Sequence, residues 1–192
     1  MIRSYADMLA YREADRQQLG RTHRFNAVYD EVWLFQRLLR RVEYYLNCGS
    51  KKNPFSVIIQ KYYSYRLHCQ AVRCGFDIPP NTFGPGLSIA HRGTIVVHSE
   101  ARIGANCRLH VGVVIGTRPG PLDQVPVIGN NCYIGPGAKI FGDIVIGDNT
   151  AIGANAVVNR SFPEGHCTIA GMPALKVSAT TSAEYIIATR AQ

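Results

Sequence analysis

The sequence predicts a mainly β protein, a parallel β-helix of six-residue repeats preceded by an α-helical segment. Three observations carry that reading. Ten aliphatic residues fall on one six-residue frame, at Val97, Ile103, Leu109 and Ile115 and then, after one interruption, at Ile128, Ile134, Ile140, Ile146, Ile152 and Val158. Gly follows directly at 104, 116, 129, 135, 147 and 153, and a small or medium residue stands four places on at Ala101, Cys107, Val113, Cys132, Ala138, Thr150 and Ala156. Before residue 76, the pattern changes to helix caps and helical apolar spacing. No amphipathic helix has a period of six and a strand alternates with period two, so each hexad reads as one short strand plus one corner, with three making a coil of about 18 residues. The aliphatic residue is expected inside, the small one lets the corner pack, and Gly is expected to supply backbone freedom.

Three helices are legible in order. The first spans 4–19, with Ser4 as N-cap and Gly20 as stop. The second spans 30–47, with Phe35, Leu38, Leu39, Val42 and Leu46 on one face and Gly49 just beyond it. The third opens with Asn53-Pro54, a cap followed by a first-turn proline, and closes at Gly75. Tyr44, Tyr45, Tyr62, Tyr63 and Tyr65 group on the second and third helices, a spacing that suits core or oligomer contact better than base stacking.

Residues 77–90 are rich in Pro and Gly and form the irregular entry to the solenoid. Thirteen residues separate Ile115 from Ile128, seven more than one step, so 116–126 project as a loop from a corner. After Val158 the chain leaves the repeat, and the end beyond about residue 179 is expected to be loosely ordered. The expected division is a basic helical segment 1–75, a β-helix 76–178 and a tail 179–192.

Composition limits the function classes. Among 192 residues no run of about 18 apolar residues occurs and Met1-Ile2-Arg3-Ser4 opens no signal peptide, so a cytoplasmic location is expected. Six cysteines lack any metal-binding or CxxC spacing and read as reduced structural thiols. Residues 1–75 hold 13 Lys and Arg against 6 Asp and Glu, whereas 76–192 hold 8 against 7, so nearly all of the +8 charge lies on the helices. Such an arm is suited to an anionic partner, such as cofactor phosphates, an acidic saccharide or a membrane surface, or is simply a solvated helix face. No nucleic-acid motif accompanies it.

Several segments resemble the hexapeptide-repeat acyltransferases, specifically their serine acetyltransferase branch: Phe76-Asp77-Ile78-Pro79-Pro80, Ile89 to Val97 with Ala90-His91-Arg92-Gly93, Ile134-Gly135-Pro136-Gly137-Ala138-Lys139-Ile140, and Ala170-Gly171-Met172-Pro173-Ala174-Leu175-Lys176. The resemblance covers about residues 75–178. It implies a left-handed solenoid, against the usual right-handed rule for parallel crossovers, assembled as a homotrimer with acetyl-CoA as co-substrate and no metal.

On that resemblance His91 matches the general base that takes a proton from the acceptor hydroxyl and returns it to the departing thiolate, a task suited to an imidazole because its ordinary pKa is ~6.5. Extending the hexad frame back from Val97 also puts His91 where an inward aliphatic residue is expected. Asp77 matches the carboxylate that orients the base, although its spacing from His91 is one residue short of the family pattern. His110, one coil and one residue after His91, is expected on the same face, about one strand spacing away; Arg92 and Gln124 join it as candidate acceptor contacts. His98 falls on another face and is given no role. The resemblance points for the donor to Gly116, Gly135, Pro136, Gly137, Ala138 and Ala154, with Lys139 and Lys176 as phosphate contacts.

The chain departs from the serine acetyltransferase pattern where that family holds the amino acid's charges. Ala90 stands in place of Asp, and Gln124-Val125 in place of Arg-His. A site built on charged hydrogen bonds discriminates through them, so the expected acceptor is a sugar hydroxyl of a surface or capsular polysaccharide or its precursor. The alternative is serine O-acetylation with other residues, for instance from Glu13-Ala14-Asp15-Arg16. A metal hydratase with three interfacial histidines and a catalytically silent scaffold are the remaining readings.

Overall fold

A computed structural model of the chain describes residues 1–20, 30–50, 52–118 and 124–186. Three helices, α1 (Tyr5–Gln18), α2 (Glu31–Cys48) and α3 (Pro54–Cys74), precede fourteen short strands. The strands are β1 (Phe76–Asp77), β2 (Ser88–Ile89), β3 (Ile95–Val97), β4 (Arg102–Ile103), β5 (Arg108–Leu109), β6 (Val114–Gly116) and β7 (Val127–Ile128), followed by β8 (Tyr133–Ile134), β9 (Lys139–Phe141), β10 (Val145–Ile146), β11 (Ala151–Ile152), β12 (Val157–Val158), β13 (Thr168–Gly171) and β14 (Ala174–Ser178). The predicted caps Ser4 and Asn53 accept from the backbone N–H of Asp7 and Phe55, Asp30 caps α2 in the same way by accepting from Trp33, and Gly75 ends α3 in the left-handed region at φ 77°. Phe35, Leu38, Leu39 and Val42 are buried as expected, but Leu46 at the end of that face is exposed.

The strands stack into three parallel sheets that form the sides of a left-handed prism. One side runs β1-β3-β6-β9-β12, a second β4-β7-β10, and the third β2-β5-β8-β11-β13 with β14 added antiparallel. Val97 pairs with Ile115, Ile140 with Val158 and Ile134 with Ile152, each partner 18 residues on, whereas Leu109 pairs with Ile134 across the insertion, 25 residues on. The inward column Ile89, Leu109, Ile134, Ile152 and Ile169 is fully buried, as are the corner residues Ala101, Cys107, Val113, Cys132, Ala138, Thr150 and Ala156. The thiols of Cys107 and Cys132 donate to the carbonyls of Gly129 and Gly147 one coil on. The contact with Cys132, together with burial, pushes the Cys107 thiol well up, which fits an inert structural role.

Two details correct the repeat reading. The glycines after the inward residues are needed chiefly for close approach: a Cβ on Gly104 would stand 2.7 Å from the Gly129 carbonyl carbon, and one on Gly135 2.7 Å from the Ile152 oxygen. The left-handed backbone falls three places beyond the inward residue, on Gly112 and Gly137 and on the asparagines Asn106, Asn131, Asn149 and Asn155. Three of these form an amide column, Asn106 to Asn131 at 3.1 Å and Asn131 to Asn149 at 3.2 Å, prolonged by the His166 ring. The tail is the second correction. Ser182 is buried, its hydroxyl bonded to the Asn131 carbonyl and its N–H to the Asn149 carbonyl, and Ile186 is buried too, so residues 179–186 pack on this corner. Residues 187–192 lie outside the described residues.

The helices close the first coil through one buried cation. Arg40 is fully buried and donates to both Asp15 oxygens (2.8 and 3.1 Å), to Glu43 (3.0 Å), and to the carbonyls of Phe83 (3.0 Å) and Gly84 (2.6 Å). Asp15 in turn accepts from the N–H groups of Gly86 (2.9 Å) and Leu87 (2.8 Å), and Glu43 from that of Asn81 (2.8 Å). The opposed carboxylates hold the guanidinium protonated despite its burial. Asp15 is thereby committed to structure and cannot meet a substrate, while Glu13 pairs with Arg16 on the exposed side of α1.

Breaking a buried pair strands the remaining charge. Asp15→Ala should lower unfolding stability in urea by about 3–5 kcal/mol, whereas Glu13→Ala, which breaks only an exposed pair, should cost less than about 1 kcal/mol.

Candidate active site

His91 stands in a bend between β2 and β3. Ile89 pairs with Leu109, 20 residues on instead of 18, because the corner after β2 holds two extra residues. The inward slot is therefore filled by Ile89, and His91 is exposed on the corner, contrary to the frame extended from Val97. An imidazole that must meet a substrate needs that exposure.

The same corner carries part of the expected donor set. Successive coils turn there at Arg92-Gly93, Val111-Gly112, Pro136-Gly137 and Ala154-Asn155, linked by hydrogen bonds from Gly112 to Thr94, Gly137 to Val111 and Asn155 to Pro136. Gly112 and Gly137 take positive φ of 79° and 74°, and a Cβ on Gly137 would collide with the Asn155 side chain, so the ladder of coils stays narrow. Gly135 and Ala138 are buried behind it, while Pro136 and Ala154 are exposed. Lys139 reaches back from β9 to donate to the Gly112 carbonyl, which draws its ammonium to this corner. Lys176, by contrast, lies exposed on β14, whose only strand partner among the described residues is β13.

His110 follows β5, with its N–H bonded to the Ile134 carbonyl, beside the level of Ala90. Its ring packs on Tyr133 at 5.1 Å between centroids, and Tyr133 packs on Tyr185 at 4.8 Å. Its Nε2 is buried without a hydrogen-bond partner. Burial above all, then the charges of Arg108 and His91, pull its pKa below the ordinary imidazole value. The structure thus gathers His91 and His110 into one electrostatic neighbourhood.

Asp77 is placed differently. It pairs with Val96, five residues beyond His91, and its exposed side chain lines an open concavity of ≈470 Å³ on the β1-β3-β6 side together with Val96, His98, Val114, Gly116 and Thr117. Among the described residues, neither Asp77 nor His91 has a side-chain hydrogen bond, so the expected dyad is not joined in the single chain. Gly116 differs from its sister glycines because a Cβ there would meet nothing within 4 Å: the space above it is open. His98, assigned to another face and given no role, lines this same concavity. Its Nδ1 accepts from the Glu100 N–H at 3.2 Å, which puts the proton of the neutral ring on Nε2 as a donor. The register was the missing signal: His98 directly follows Val97, the partner of Ile115, and so stands beside Gly116.

Arg92 pairs with Glu31 at the start of α2, with side chains 62% and 41% exposed. Gln124 is half-buried at the end of the projecting loop, of which residues 119–123 lie outside the described residues. No motif singles out Glu31; its carbonyl is fixed by Gln70 Nε2 at 2.9 Å, at the end of α3 that feeds β1. Among the described residues no group of three His, Cys, Asp or Glu is arranged to hold a metal ion, and no helix is long and apolar enough to cross a membrane.

Residues 126–160 match the bacterial transferase hexapeptide family, described as six repeats. The serine acetyltransferase of Synechococcus elongatus is 36% identical over 108 residues, 55% of this chain and 44% of that protein, and the serine acetyltransferase of Staphylococcus xylosus is 38% identical over 118 residues, 59% and 54%. The chain spans about half the length of these curated relatives. The serine acetyltransferase structure from Brucella abortus strain S19 shares the fold over 93% of this chain and 72% of its own with a TM-score of 0.71 at 24% identity, and a structure of serine acetyltransferase from that strain in complex with coenzyme A aligns over 90% and 67% with a TM-score of 0.69 at 25% identity. Residues 126–160 of the prism carry the transferase hexapeptide repeat, and the chain is similar to serine acetyltransferases. These relatives overturn the expectation of a polysaccharide acceptor: at 36–38% identity they are named for serine. That expectation rested on charges absent at Ala90, Gln124 and Val125, whereas the residue after His91, Arg92, carries an ion pair with Glu31.

Because the folded His110 binds a proton less readily than the unfolded chain, whose imidazole titrates near ~6.5, folding loses stability as pH falls below that value and down through the lower folded value. His110→Gln should remove this loss. Thermal melts between about pH 7.5 and about pH 5.5 should show a smaller fall in Tm for the variant than for the parent.

Proposed function

We propose that this hexapeptide-repeat chain, similar to serine acetyltransferases, transfers the acetyl group of acetyl-CoA to the hydroxyl of L-serine. The observation that supports it most is an exposed His91 on the solenoid corner, within the Ala90-His91-Arg92-Gly93 motif, flanked by a solvent-accessible pair of opposite charges. His91 takes the serine hydroxyl proton as the oxygen attacks the thioester carbonyl; the tetrahedral intermediate then collapses, expelling the CoA thiolate, which receives the proton back from the imidazolium. The site acts as a base and positioning device, and no covalent enzyme intermediate is needed.

A free amino acid needs one partner for its carboxylate and one for its ammonium. Arg92, the residue after the base, and its ion-pair partner Glu31 offer them. In the empty site they pair with each other, but an exposed ion pair is worth only about 0–1 kcal/mol, so it opens readily to a zwitterion that satisfies both partners. The donor's pantetheine arm is assigned to the open space over Gly116 and the exposed Pro136 and Ala154, where small residues let the backbone approach, with Lys139 near the corner for an anionic group. Gln124 and the neutral His110 lie to the acceptor side in this reading. Since the donor residues sit on two edges of one prism side, we assign the complete site to a homotrimer in which a neighbouring prism supplies the second wall. Asp77 contributes a carboxylate to the concavity and is assigned a supporting role.

Release of free thiol from acetyl-CoA in the presence of L-serine, with mass-spectrometric detection of O-acetylserine, tests the reaction. His91→Ala should lower kcat by about two to four decades without weakening CoA binding, and Asp77→Asn should cost less. His98→Gln should keep most of the turnover; a large loss there with a normal His91 variant would move the base to the concavity.

A further inference from the structure

We infer that the helical segment carries a binding site for a small phosphate-bearing anion, formed by Arg12 of α1, Arg37 and Arg41 of α2 and Arg66 of α3. These four guanidiniums line a single cleft of ≈220 Å³ together with Tyr62 and Tyr63. The volume is below the roughly 300–1,000 Å³ of pockets that enclose a whole drug-sized ligand, and suits a charged head group.

Three features set this cleft apart from an ordinary solvated basic surface. The Nε atoms of Arg12 and Arg37 are buried with no hydrogen-bond partner, so two donors have been taken out of water and left unused. No carboxylate of the described residues forms an ion pair with any of the four, even though Arg40, between Arg37 and Arg41 in sequence, is matched by both Asp15 and Glu43. The remaining two are fixed in place by aromatic rings: Arg41 donates to the Tyr63 hydroxyl at 2.9 Å with its guanidinium 4.9 Å from the ring centroid, and Arg66 donates to the Tyr62 hydroxyl at 2.8 Å. Burial first, then repulsion from Arg37 and Arg41, lowers the pKa of Arg12, an expense that a bound anion would reverse. Planar guanidinium forks converging from three helices are the geometry that recognises phosphate oxygens bidentately, better than a scatter of lysines would.

A phosphate group could arrive free in solution or on a lipid head group, and the test separates these. Calorimetric titration of the whole protein with inorganic pyrophosphate, and flotation with vesicles containing phosphatidic acid, should be run beside thermal melts. Pyrophosphate should bind and raise Tm in a salt-dependent manner. Arg37→Gln should weaken binding at least tenfold and, without ligand, should raise Tm because repulsion is relieved; Arg66→Gln, exposed and remote from helix packing, should also weaken binding. Arg102→Gln on the prism should bind like the parent. Binding of vesicles that pyrophosphate competes away would identify a lipid source, and binding of pyrophosphate alone a soluble one. If the parent binds neither probe, or if both cleft variants bind as well as the parent, the site does not exist. Serine acetylation is measured separately and does not bear on this outcome.

Discussion

The buried guanidinium of Arg40 is the contact on which the arrangement of this protein depends. A solenoid transmits order from coil to coil, but its first coil has no neighbour, and its backbone groups and inner face need a cap. Here the cap is a three-helix segment, and Arg40 ties it to the first coil by bonding to Phe83 and Gly84 while Asp15 binds Gly86 and Leu87. Three charges removed from water would be costly alone; together, with five backbone groups satisfied between them, they define one orientation of helices on prism. That orientation sets the start of α2, and thus Glu31, beside the corner that carries Arg92 and His91. The seating of the cap and the Arg92–Glu31 pair at the corner are therefore linked through a residue that belongs to neither strand nor corner.

The repeat itself was legible because its constraints are local and periodic. An inward aliphatic residue, a small corner residue and a fixed step of six can be read without tertiary knowledge, and the buried columns follow them. The first coil was not legible by the same arithmetic. It spends two extra residues between Ile89 and Ile95, which moves His91 from an imagined inward slot to the surface. Motif likeness singled out the residue, while periodicity assigned it an inward slot that Ile89 occupies instead. Glycine illustrates a similar limit: its position was periodic, but the reason at Gly104 and Gly135 is steric approach between coils, and the positive φ fell two residues further on, at Asn106 and Gly137.

Contacts between elements distant in sequence were the least legible. Nothing in the order of residues joins Glu31 to Arg92, or Asp15 to Gly86, and His98 was set aside for lack of a register that would place it beside Gly116 and Asp77. The acceptor expectation rested on charges absent from the local motif, whereas Arg92 is paired by Glu31 from a helix far upstream. An element distant in sequence can thus bring charge to a corner where no local pattern announces it.

In the proposed reaction Arg92 and Glu31 read the two charges of free serine beside His91. The most direct measurement is kcat/KM for acetyl transfer to L-serine against L-serine methyl ester and ethanolamine, each of which lacks the carboxylate charge. Loss of one well-placed charge-assisted hydrogen bond, about 1.5–3 kcal/mol, corresponds to roughly a 10- to 150-fold preference for L-serine, which should collapse in Arg92→Gln. Equal use of the three acceptors by the parent protein, or no acetylation of L-serine at all, would contradict it.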